Sequence, residues 1–133
     1  MICIVCLDNS GGMMFNHRRQ SKDSAVIADI EKAVASATVF LNSYSAKLFE
    51  NSACKLTVAE NFLEIADEDF CFVEDKTLAE YEEKIQKIIV YRWNRDYPSD
   101  FSFDIDLSEW SIAQTESFSG TSHEEITKEV YIK

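Results

Sequence analysis

Residues 101–118 read FSFDIDLSEWSIAQTESF, an acidic turn followed by a tryptophan and a run of strand-forming residues. Asp104 and Asp106 supply turn chemistry, and Trp110 to Phe118 reads as a strand. A second strand follows. Between Ile126 and Ile132 the alternation Ile126, Lys128, Val130, Ile132 against Thr127, Glu129, Tyr131 is clean.

Working outward, the earlier chain alternates strands with helices. Ile2 to Leu7 is short and apolar, as a strand buried on both faces must be. Asp8 to Gly12 is turn sequence, and residues 13–21 are expected as an irregular polar loop. A helix is predicted from Lys22 to about Ser36, capped by Ser21, with Val26, Ile27, Ile30 and Val34 on one side. Thr38 to Leu41 is a second buried strand, and Asn42-Ser43 opens a short helix. Lys55 to Val58 is a third strand, and Glu60 to Ala66 a helical turn or two. Phe70 to Val73 is a further buried strand. Thr77 is the expected cap of a helix through Lys84, with Glu80 at the capping-box position. Ile85 to Trp93 is a long strand. Strands and helices alternating early, then consecutive strands late, indicate an α/β fold with a mixed central sheet flanked by helices. At 133 residues the chain is expected to be a single domain.

Composition narrows the function. A net charge of −11 argues against nucleic acid and against anionic membranes as partners. No apolar run is long enough to span a bilayer, and the opening MICIVCLDNS reads as a first strand rather than a signal peptide. Cys3 and Cys6 are three apart on a strand and so point to opposite faces, which rules out a shared metal ion there. Four reduced thiols and no secretory signal give a cytoplasmic expectation. The acidic stretch over residues 60–83 is expected to be a solvated surface.

Four segments carry a resemblance in chain order. MICIVCLDNSGGM, ATVFLNSYSAKLF, FCFVEDKTLAEYEEKIQKIIVYRWN and FSFDIDLSEWSIAQTESF are similar to successive segments of dihydrofolate reductases. The resemblance implies that family's mixed-sheet fold in a shortened, divergent member. It also implies a site. The family's pterin-holding carboxylate corresponds to Asp23, the one catalytic candidate, which is also where a helix dipole favours an acid. Ser45 stands where a phosphate-binding threonine is usual.

Departures from the family pattern are as informative. Val73-Glu74-Asp75 replaces the glycine pair that lets the cofactor pyrophosphate approach, and Asn42-Ser43 replaces the glycine-arginine after the second strand. Side chains and two carboxylates there are hostile to phosphate, so tight NADPH binding is not expected and the cofactor is left unknown. The mobile-loop motif is replaced by Phe15-Asn16-His17-Arg18-Arg19-Gln20-Ser21.

Asn16, Arg18, Arg19 and Gln20 therefore form one candidate ligand cluster, and Arg92 and Asn94, beyond the long strand, a second. If the family topology holds, both lie near one sheet edge. Their arginines either pair with the plentiful acids and pin loops, or receive a small anionic, nucleotide-like or pterin-like ligand. The F-N-x-R-R-Q-S run also resembles short bacterial proteins, some called ribonuclease Z. That chemistry needs a histidine-rich two-metal centre, and this chain has only His17 and His123. His123 is expected to be a loop or cap residue. The readings that remain are a small-molecule-binding protein on this scaffold, a reductase of dihydrofolate or a related pterin with an altered cofactor mode, and a non-catalytic interaction protein. The ligand and the oligomeric state are left open.

Overall fold

The computed structural model describes residues 1–133. In chain order the strands are β1 (Ile2–Leu7), β2 (Gly12–Phe15), β3 (Arg18–Arg19), β4 (Thr38–Leu41), β5 (Lys55–Val58), β6 (Phe70–Phe72), β7 (Lys87–Arg92), β8 (Phe101–Ser102), β9 (Ser111–Phe118) and β10 (Ile126–Ile132). The helices are α1 (Ser24–Val34), α2 (Ser43–Ala46) and α3 (Phe62–Ile65), with short 3₁₀ turns at Lys47–Phe49, Ala79–Lys84 and Leu107–Glu109.

A seven-stranded mixed sheet has the order β5-β4-β6-β1-β7-β10-β9. Strand β1 is its middle strand and pairs in parallel with β6 and β7. β10 and β9 add in antiparallel fashion beyond β7. Two-sided burial of β1 follows from its alternation. Cys3, Val5 and Leu7 enter one core with Phe62, Leu63 and Trp110, while Ile4 enters the other with Val26, Ile30 and Val34 of α1. β7 does the same, with Ile88 and Val90 on one side and Ile89 and Tyr91 on the other.

Cys3 and Cys71 lie opposite each other on adjacent strands as free thiols. Burial raises both thiol pKa values, that of Cys71 to about 12, so neither is a ready thiolate. No helix is long and apolar enough to cross a membrane.

Several local expectations need correction. Residues 12–19 are not an irregular loop. They form a hairpin whose two-residue turn, Asn16-His17, has φ of 53° and 63°, the geometry of a type I′ turn. With β8 this hairpin makes a second, three-stranded sheet. Helix α1 begins two residues later than expected, because Asp23 and not Ser21 caps it, accepting from the Ala25 N–H at 2.9 Å. The segment after Thr77 is a 3₁₀ turn without a cap from Thr77 or Glu80. Its leading N–H groups, of Leu78 and Ala79, donate instead to Asp104 at 2.8 and 3.1 Å. The first acid of the FSFDIDL run thus holds a turn 26 residues upstream. The acidic stretch is not wholly solvated either, since Glu74 is buried.

Candidate functional site

The hairpin β2–β3, the start of α1, α2 and the C-terminal ends of β6 and β7 meet on one side of the main sheet. Between them is a small interior pocket of about 20 Å³, lined by Cys6, Arg19, Gln20, Asp23, Phe72 and Trp93 among others. That is room for a single water molecule. The side-chain carbonyl of Gln20 is buried here without a hydrogen-bond partner, while its amide donates to Asp8 and to the Pro98 carbonyl.

Two polar clusters fill the space around this pocket. In the first, Arg19 holds Glu74 with two hydrogen bonds, Nε to Oε2 at 2.8 Å and Nη2 to Oε1 at 3.0 Å. Ser45, itself buried, donates its hydroxyl to Glu74 Oε1 at 2.7 Å. The Arg19 guanidinium also lies 4.5 Å from the centre of the Tyr44 ring, and Arg19 N–H donates to the Tyr44 hydroxyl. Burial alone would lower the Arg19 pKa, but the hydrogen bonds and charge of Glu74 raise it above the usual value. Beside this cluster, Asn42 caps α2 through Ser45 N–H and donates its amide to Asp75. Ser45 and the residue at the family's glycine-pair position therefore bond to each other.

In the second cluster, Asp23 is buried and accepts hydrogen bonds on both oxygens. Ala25 N–H, Thr121 N–H and the Thr121 hydroxyl donate to Oδ1. Ser122 N–H, the Ser122 hydroxyl and His123 Nδ1 meet Oδ2. Burial would raise the pKa of this carboxyl, but hydrogen bonds from Thr121, His123, Ser122 and Ala25 hold it far below the usual range. Gly120 is what lets the 120–123 segment come this close. A Cβ there would collide with Asp23 Oδ2.

His123 lies in the loop between β9 and β10, as expected, and is the hub of this cluster. Its ring is stacked on Trp93 with centroids 4.6 Å apart. Its Nε2 lies 2.9 Å from the Tyr97 hydroxyl and 3.1 Å from Ser21 Oγ. Tyr97 is placed in turn by Asp8, which accepts its backbone N–H. Nothing in the sequence marks these contacts, because the partners of His123 lie up to 102 residues away.

The other site candidates separate. Arg18 is exposed and, with Lys22 and Lys47, lines an open groove of about 1240 Å³ running from the hairpin along α1 toward the segment after α2. Arg19 and Asp23 form part of its wall, as do Glu31 and Glu50. Asn16 sits at the hairpin tip, its N–H donating to Asp100. Arg92 and Asn94 are not brought into the groove. Arg92 pairs with Glu129 at 2.6 Å and reaches the Tyr131 hydroxyl, and Asn94 donates to the Glu125 carbonyl and Thr127. Arg92, at the end of β7, lies opposite Thr127 of β10, and this register puts Glu129, two residues on, on the same face within its reach. No group of three or more histidine, cysteine or acidic side chains is arranged to hold a metal ion.

No family model matches the chain, and no curated protein matches it. Among solved structures it is similar to dihydrofolate reductase from Enterococcus faecalis complexed with NADP(H) and RAB-propyl. The TM-score is 0.67 at 13% identity, covering 98% of this chain and 94% of that one. The fold is thus dihydrofolate-reductase-like, an α/β domain with a mixed central sheet. At that identity the likeness establishes architecture and not activity.

Proposed function

We propose that this protein is a dihydrofolate-reductase-like binding protein whose ligand sits in the open groove between the hairpin, α1 and the segment after α2. The ligand is small and anionic, of nucleotide-like or pterin-like character. The observation that carries this reading is the contrast between the two spaces. An interior pocket of about 20 Å³ has no room for a ring system, since ligand sites typically run to ~300–1,000 Å³. The groove of about 1240 Å³ has that room, and Arg18, Lys22 and Lys47 line it. Arg19 is paired with Glu74 and Asp23 keeps its charge among hydrogen-bond donors, so Arg18, Lys22 and Lys47 stand against Asp23, Glu31 and Glu50, with the three cations exposed and Asp23 buried. In a protein of net charge −11 a groove whose lining charges balance, with its cations outermost, is the surface least hostile to an anion.

The reductase reading draws on the position of Asp23 at the start of α1 in this fold. It is the weaker of the two. Every strong acceptor direction of that carboxylate already serves the chain's own donors. Glu74 likewise takes the Ser45 hydroxyl that a phosphate would need.

The test is a thermal-shift series with pyrophosphate, nucleoside phosphates, folates and pyridine dinucleotides. An anion bound at a hundred times its Kd adds about 2.7 kcal/mol to stability. The expected result is a ligand-induced rise that Arg18→Ala or Lys47→Ala removes while the unliganded midpoint stays in place. No response to any anion would overturn the reading.

A further inference from the structure

Three side chains around the start of α1 stand in a particular relation. Asp23 Oδ2 is 2.9 Å from His123 Nδ1, and both side chains are almost completely buried. Across the ring, His123 Nε2 is 3.1 Å from Ser21 Oγ. Stacking on Trp93 fixes the plane of the imidazole. A carboxylate at Nδ1 places the proton of the neutral ring there and leaves Nε2 as a hydrogen-bond acceptor directed at hydroxyls. Ser21 is half-buried and borders both the interior pocket and the open groove, so the residue bonded to the buried base also borders space a ligand can enter.

The geometry points to Ser21 as a nucleophile, with His123 as its general base and Asp23 as the residue that orients the base, acting on an activated acyl compound (an ester or thioester) held in the groove. A serine–histidine–aspartate set is recognised by geometry and roles and recurs on unrelated folds. The proposal rests on the groove being the ligand site and adds a reaction to it.

Ser21 Oγ forms a bond to the acyl carbon as its proton passes to His123 Nε2. The carbonyl electron pair moves onto oxygen and then returns, breaking the bond to the alkoxide or thiolate, which leaves with the proton from His123. Water then attacks the acyl-serine, gives a proton to His123, and releases the carboxylic acid as Ser21 takes that proton back. Nothing is oxidised or reduced. Arg18 and Lys22, on the same groove, are the cations available to the charge that develops on oxygen. Tyr97 is a second hydroxyl at Nε2, 2.9 Å away, and competes with Ser21 for that lone pair.

The experiment exposes the folded full-length chain to a neutral fluorophosphonate probe and locates the adduct by mass spectrometry. The expected adduct is on Ser21, absent in Ser21→Ala and slowed about 100-fold or more in His123→Gln. Because His123→Gln also disturbs the 120–123 segment, Tyr97→Phe supplies a second measure. It leaves Ser21 as the hydroxyl on Nε2 and is expected to label faster than the native chain. No adduct at Ser21, or a Tyr97→Phe protein that labels no faster, overturns the nucleophile. The probe carries no charge and so is independent of the anion subsite. No labelling beside an intact anion-induced thermal shift removes the triad and keeps the groove reading. Labelling without an anion response supports the triad and overturns the anionic ligand proposed for the groove.

Discussion

Arg19 and Glu74, 55 residues apart, are joined by two near-parallel hydrogen bonds inside the cleft, with the arginine 21% and the glutamate 9% exposed. Bidentate geometry and low exposure set this pair apart from a surface ion pair. The pair also closes the interior space and ties the hairpin to the end of β6.

Removing one partner leaves the other charge largely buried. Glu74→Ala is expected to destabilise the fold by about 2–3 kcal/mol, somewhat under the cost of breaking a fully buried pair. Urea denaturation measures it. A loss within the range of surface substitutions would mean that the pair is loose in solution.

The same pair bears on the cofactor. A dinucleotide pyrophosphate brought to this place meets Glu74 and Asp75 in the stretch where the family resemblance implies two glycines. NADPH is therefore expected to bind weakly or not at all in calorimetry. Submicromolar affinity, or dihydrofolate-dependent oxidation of the cofactor, would refute this.

Asp23 sets a pH dependence. Its folded pKa is depressed, so its contribution to stability is complete above the unfolded value of about 3.9 and is lost as pH falls toward the folded value. Stability of the native chain should drop steeply below about pH 4. Asp23→Asn should be less stable at pH 7 by about 2 kcal/mol, because an amide cannot accept at both ends, and its acid slope should be shallower. Glu60 and Asp106, also lowered by hydrogen bonds to Ser43 and Ser108, contribute equally to both proteins and cancel in the difference. Parallel acid slopes would show that Asp23 is not the titrating group.

Gly120→Ala drives a methyl into Asp23 Oδ2, which is held by Ser122 and His123, and to 2.8 Å from the His123 carbonyl. The expected cost is about 1–3 kcal/mol, as for other overpacked sites. Near-native stability would mean that the 120–123 segment shifts without penalty, and the hydrogen bonds to Asp23 would then be weak ones.

At the hairpin tip the sign reverses. His17 sits at φ 63° as the second residue of the Asn16-His17 turn, where glycine is the favoured residue. His17→Gly should stabilise by roughly 0.5 kcal/mol, the relief of left-handed strain less the added freedom of the unfolded chain. A thermal melt that falls instead would indicate a contact of the His17 side chain that outweighs the backbone.

Burial is what the linear chain records well. Apolar runs at Ile2–Leu7 and Thr38–Leu41, helical spacing from Val26 to Val34 and alternation over Ile126–Ile132 each report how many faces of an element meet the core. Those local patterns, with the order of the segments, were enough for the mixed sheet with β1 at its centre. Asp23 stands out through the family resemblance, whereas local helix-start chemistry alone points to Ser21. Local signals stopped short where a distant acceptor won. Asp104 displaced Thr77 as a cap, holding Leu78 N–H from 26 residues away. At α1 the cap moved only from Ser21 to Asp23, a choice between two local candidates. The tertiary structure alone decided which polar groups meet. Arg19 with Glu74, Arg92 with Glu129 and Asp23 with His123 are separated by 55, 37 and 100 residues. Such pairs depend on strand register and on how closely loops approach, to within an ångström, and periodicity carries no such information. The volume left between them, which separates a filled interior pocket from an open groove, is a property of that packing.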